Sequence, residues 1–223
     1  MFKKYTVLLL TVLLSISLCF PVFAQDKANN DQQNIKIPKT IVLNGTSVDV
    51  QTIPEIKTGQ VVETKGTTLL KEVINPDGTY IVHEVVSKDL PKSEITEATV
   101  MAIASDVYNG HSYAVNDYFM DGTYLGTIEL DTIWYTNAGY ITSKSNNCWG
   151  SIPYYQLPDY WNNITRDFYT YNNNTEGTSW GQGTDNYVLP PVMWYIGYRT
   201  FHLQTNVNGS GGYSDSYYIA AEG

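Results

Sequence analysis

The chain has 223 residues, a formal net charge of −9, and 19 tyrosines and 5 tryptophans against only 2 cysteines. An acidic, lysine-poor chain is a poor partner for nucleic acid, whose non-specific affinity comes from neutralising phosphates, and it is repelled by anionic lipid. With no cysteine framework to staple it, the fold must be held by burying aromatic and aliphatic area.

Lys3 and Lys4 precede an apolar run from Val7 to Phe20, followed by Pro21 and Val22-Phe23-Ala24. A positive start, a short hydrophobic stretch and small residues before a cut are the order of a secretory signal peptide over 1–24, with cleavage expected after Ala24. Lipid attachment at Cys19 is the alternative, but Leu18 stands where that chemistry wants a small residue. The run is shorter than the roughly 20 apolar residues a membrane span needs, and no later segment is apolar enough. The expectation is a secreted, extracellular protein with no membrane span and Cys148 as its one mature thiol. Residues 25–38 are polar and aperiodic, which reads as a disordered tether.

Residues 39–95 read as a hairpin-rich β segment. Asn44-Gly45 separates two β-rich runs in KTIVLNGTSVDV, and both residues tolerate the positive φ of a type I′ turn. Asn75-Pro76-Asp77-Gly78 repeats the signal between LLKEVI and TYIVHEVV. Composition then changes. Tyr80 is the one aromatic residue from Gln25 to Ile95, whereas all the tryptophans fall after Thr96. Leu90-Pro91-Lys92-Ser93-Glu94 reads as a linker, and 96–223 as an aromatic-rich antiparallel β-sandwich. In the second part TVMAIA, SYAVNDYFM, TYLGTIELDTIWY, RDFYTY and YRTFHLQTNV alternate like strands between Gly- and Asn-rich turns. Phe201, Leu203 and Val207 share one face of the last of these, and Tyr198, Thr200, His202 and Gln204 the other. The fold class expected is all-β.

Two constellations resemble known catalytic sites. Asn147-Cys148-Trp149 resembles the start of the papain-like cysteine peptidase site, which would make Cys148 the nucleophile, His202 its base and Asp215 the orienting acid. Pro153 departs from that pattern, because it falls where the family has a helix that lowers the thiol pKa. Glu129-Leu130-Asp131 resembles the Glu-x-Asp core of the laminarinase-like glycosidases, which also fold as β-sandwiches. That family places a further glutamate just after the aspartate, where this chain has Ile133 and Trp134. Retaining hydrolysis needs two carboxyls about 5 Å apart, so the solvated face of a strand is the preferred reading of Glu129 and Asp131. Asp117 to Gly122 fails the calcium-loop spacing at Phe119 and Ile128, and His83, His111 and His202 are scattered. No metal or cofactor is expected.

What remains is aromatic excess beside amides. Trp149, Tyr154, Tyr155, Tyr160 and Trp161 fall in a proline-punctuated stretch read as a loop, and Trp180 in a second, Asn-rich one. Flat rings stack on the apolar faces of sugars while amides bond their hydroxyls. These six are the candidate ligand-binding residues of a non-catalytic binding or surface-associated module, with an extracellular glycan or cell-surface component as partner. A secreted hydrolase and a structural matrix protein are the competing classes.

Overall fold

The computed structural model describes residues 37–92, 105–152, 161–189 and 194–222. The signal peptide expected over 1–24, nearly all of the expected tether, the strand expected at TVMAIA, and Tyr154, Tyr155 and Tyr160 lie outside them. Twelve strands are described: β1 (Thr40–Leu43), β2 (Thr46–Asp49), β3 (Val62–Thr64), β4 (Thr67–Val73), β5 (Tyr80–Asp89), β6 (Val107–Phe119), β7 (Tyr124–Asn137), β8 (Tyr140–Ser151), β9 (Trp161–Tyr171), β10 (Glu176–Leu189), β11 (Trp194–Asn208) and β12 (Tyr213–Glu222). One 3-10 turn, Val50–Thr52, follows β2 and is capped by the Asp49 carboxylate.

Ten of the strands form two five-stranded antiparallel sheets packed as a sandwich, the all-β class expected from the alternation, and β1 and β2 pair as a separate two-stranded sheet. The first sheet runs β4-β5-β6-β7-β8 and the second β3-β12-β11-β10-β9. Every laddered pair is a neighbour in sequence except β12–β3, so the chain winds once around the sandwich as a flattened meander. β5 and β6 are hydrogen-bonded from Ile81↔Phe119 to Asp89↔His111. The change of composition near residue 95 is therefore not a change of sheet: β3, β4 and β5, all upstream of it, belong to the same sandwich as the aromatic-rich strands.

Turn chemistry sets this order. Asn44 and Gly45 take φ of 48° and 80° and close the β1–β2 hairpin, as two residues tolerant of positive φ should. Gly78 closes β4–β5 and Gly122 closes β6–β7, both at positive φ. Three consecutive asparagines, Asn172, Asn173 and Asn174, supply the left-handed residues between β9 and β10. The β1–β2 hairpin reaches the outer side of the first sheet, where Asn44 donates to Glu84 at 3.3 Å. There Glu84 also accepts from Asn116 and Tyr118.

Period-2 alternation sorts the faces. Inward go Val85, Tyr113, Val115, Ile128 and Leu130 from the first sheet and Phe201, Leu203, Tyr217 and Ile219 from the second, all fully buried. Trp134, Ile141, Phe168 and Val207 form a further apolar cluster. Two strands overturn the loop readings. Trp149 lies in β8 and Trp180 in β10, because Gly181 and Gly183 face inward there: a Cβ at Gly181 would stand 2.6 Å from the Cys148 sulfur. Glycine in that run is close packing of strand on strand, not a loop signal.

Candidate functional site

The second sheet carries its chemistry on the outer face. Cross-strand registers place Trp180 opposite Gln204 and Gln182 opposite His202, and then Gln204 opposite Ser216 and His202 opposite Tyr218. Because the intervening residues Phe201, Leu203, Tyr217 and Ile219 point into the core, this set faces out. Together with Val61 it lines a shallow depression of about 440 Å³ with Gly181 and Leu203 at its floor. The His202 and Tyr218 rings stack at 4.2 Å, 4° from parallel. Gln204 donates to Asn206 at 3.0 Å, and Thr178 donates to the same amide oxygen at 2.9 Å, so the amide row is held in place. The same face continues on β9, where Tyr169 pairs with Thr178 and Tyr171 with Glu176. Those two tyrosines are 48% and 40% exposed, their rings 6.2 Å apart.

The sequence candidates separate. Trp180 belongs to this depression. Trp149, 39% exposed, stands on the outer face of the first sheet, opposite Glu129 on β7. Trp161 is a packing residue at the start of β9: it meets Phe201 edge-on at 5.3 Å and donates from Nε1 to the Ser151 carbonyl at 3.1 Å. Gly150 has no side chain because Trp161 occupies that space; a Cβ there would lie 2.3 Å from its ring. Tyr154, Tyr155 and Tyr160 fall outside the described residues. His202, Gln182, Gln204 and Tyr218, which line the same depression, are not among the sequence candidates for ligand binding, although the alternation in YRTFHLQTNV already put His202 and Gln204 on one face.

The cysteine constellation does not assemble. Cys148 points into the core, and burial pushes its thiol up to about 12. A thiol held protonated is a poor nucleophile. His202 faces out on the second sheet, and Asp215 is engaged inside, accepting from Ser87 at 2.6 Å and Thr205 at 2.8 Å and pairing with His111 at 2.8 Å.

Glu129 and Asp131 do share the outer face of β7, with Ser112 donating to Glu129. Burial, then the neighbouring Glu129 charge, raise the Asp131 carboxyl to about 6.

A second polar set lies between the sheets. His83 sits 2.6 Å from Asp117 and 3.6 Å from Glu72, and Glu72 pairs with Arg199 of the opposite sheet at 3.1 Å. Burial alone would push the His83 pKa down, but the Asp117 and Glu72 carboxylates hold it up at about 9. The imidazolium is fully buried, with the Phe201 and Tyr217 rings of the opposite sheet each 6.1 Å away, and through Glu72 and Arg199 it links the two sheets.

Among the described residues no group of His, Cys, Asp and Glu has metal-ligating geometry, and no helix is long and apolar enough to cross a membrane. No protein-family model, curated protein or solved structure matches the chain. Its functional reading therefore rests on these surfaces alone.

Proposed function

We propose that this protein is an exported, non-catalytic glycan-binding module that offers the outer face of its second sheet to an extracellular or cell-surface polysaccharide. One observation carries this reading: Trp180 shares a single depression with Gln182, His202, Gln204, Ser216 and Tyr218. An indole supplies a stacking surface for the apolar face of a sugar, and amides, imidazole and hydroxyls supply donors and acceptors for its hydroxyls. The depression is open and shallow, suited to a polymer lying on the sheet rather than to a small molecule engulfed by it. The lysine start, apolar run and Val22-Phe23-Ala24 of the N-terminus support export.

Titration with neutral polysaccharides, followed by tryptophan fluorescence, tests it. Trp180→Ala is expected to weaken binding about tenfold, the scale of one stacked ring, whereas Trp149→Ala on the opposite sheet leaves it unchanged. Flat titration curves, or a loss confined to Trp149→Ala, would remove the reading. A hydrolase reading is favoured by the raised Asp131 carboxyl beside Glu129; polysaccharide cleavage abolished by Glu129→Gln would move the function to the first sheet.

A further inference from the structure

Resting on that glycan-binding reading, we infer that the ligand is the interior of a linear, uncharged polysaccharide, held along a diagonal track of rings that crosses the second sheet from Tyr218 through Trp180 to Tyr169 and Tyr171. The registers fix the track. Tyr218 stands on β12, level with His202 and Gln182; Trp180 lies two strands away on β10 and one same-face row along. Tyr169 follows one strand further, on β9, and one more row along, with Tyr171 beyond it on the same strand. With strands about 4.8 Å apart and same-face residues about 7 Å apart, Tyr218 and Trp180 are separated by about 12 Å, more than one hexose ring covers. Trp180 and Tyr169 are about 8 Å apart by the same geometry. The rings are therefore spaced as successive contacts for one chain. Between the first two lie Gln182, His202 and Gln204, the donors and acceptors a chain would meet on the way.

Charge selects the class of chain. The charged side chains that the described residues set on these strands of the outer face are Glu63, Asp167 and Glu176, all acidic: Glu63 pairs with Ser216, Asp167 with Trp180 and Glu176 with Tyr171. Uronic-acid and phosphate-bearing polymers would meet like charge opposite Trp180 and Tyr171 and one row from Tyr218. Neutral hexose or N-acetylhexosamine chains would not. Among the described residues, none walls off either end of the track as recognition of a chain terminus would require.

The test uses the full chain with neutral oligosaccharides of two and six units, and polygalacturonate as the charged comparison. Affinity is expected to rise at least about tenfold from dimer to hexamer, and Tyr169→Ala, an exposed position, is expected to cost about tenfold for the hexamer and nothing for the dimer. Equal affinity for dimer and hexamer with Tyr169→Ala silent, while Trp180→Ala still weakens binding about tenfold, overturns the track and leaves the Trp180 site standing. Preference for polygalacturonate overturns the charge argument. Absence of binding to any of them overturns both the track and the site.

Discussion

At Asp131, charge and fold conflict. Its carboxyl titrates near 6 because of burial and the Glu129 charge, against an ordinary value of about 4 in the unfolded chain. The native state thus holds its proton longer than the unfolded state does. By linkage, the contribution of this group to stability is complete below about pH 4 and declines as pH rises through about 6. Asp131→Asn removes the charge while keeping the shape. The expected outcome is a higher melting temperature than the parent at pH 7 and little difference at pH 4, read by circular dichroism. A variant equally or less stable at both values would show that the Asp131 charge is not under strain. Sequence reading placed Asp131 on a solvated strand face beside Glu129. It shares that face, but its carboxyl is partly desolvated, and hydrogen bonds from Ser112 and Trp149 on the adjacent strands offset only part of the rise. Strand alternation is visible in a sequence, whereas the identity of the cross-strand neighbour is not.

Among the elements, β10 departs furthest from its sequence signal. TSWGQG looks like a turn because it is glycine-rich and has no apolar residue at its inward positions. Those glycines are where β10 approaches β7 and β8: a Cβ at Gly181 would meet the Cys148 sulfur at 2.6 Å, its Cβ at 2.9 Å and Leu130 at 3.2 Å. Gly181→Ala is expected to cost about 1–3 kcal/mol through overpacking, measured as a lower urea midpoint with unchanged slope. A neutral result would mean that Cys148 can move aside, and Cys148→Ala combined with Gly181→Ala would then show no rescue. The outward residues of the same strand, Trp180 and Gln182, depend on this packing for their position, so the element that looked least ordered carries the centre of the candidate site.

At the scale of the whole molecule, the two sheets are joined across the core by charge as well as by rings. Arg199 of the second sheet pairs with Glu72 of the first, and Glu72 and Asp117 flank His83. The Glu72 carboxyl is held below its ordinary value: burial opposes this, but His83 and Arg199 outweigh it. The folded pKa of His83, about 9, lies above the unfolded value of about 6.5. Its stabilisation is therefore present in full below about 6.5 and is lost as pH rises through about 9. His83→Gln leaves Glu72 and Asp117 without their shared cation and is expected to cost about 3–5 kcal/mol at neutral pH. In urea unfolding at pH 6 and pH 9, the parent should lose stability between the two and the variant far less. An equal slope in both proteins would exclude His83 as the titrating group.

What the sequence determined by itself is local: an all-β chain, its hairpin turns at Asn44-Gly45 and Asn75 to Gly78, and the inward and outward faces of its regular strands. These follow from backbone angles that few residues tolerate and from a side-chain period of two. Only the tertiary structure decided that residues on both sides of the composition change near 95 share one sandwich. It also decided that His83 finds Asp117, Glu72 and, through Glu72, Arg199, and that Tyr218, Trp180 and Tyr169 line up across separate strands. Those outcomes depend on which strands become neighbours and in what register, a matter of long-range pairing that no local window of sequence contains.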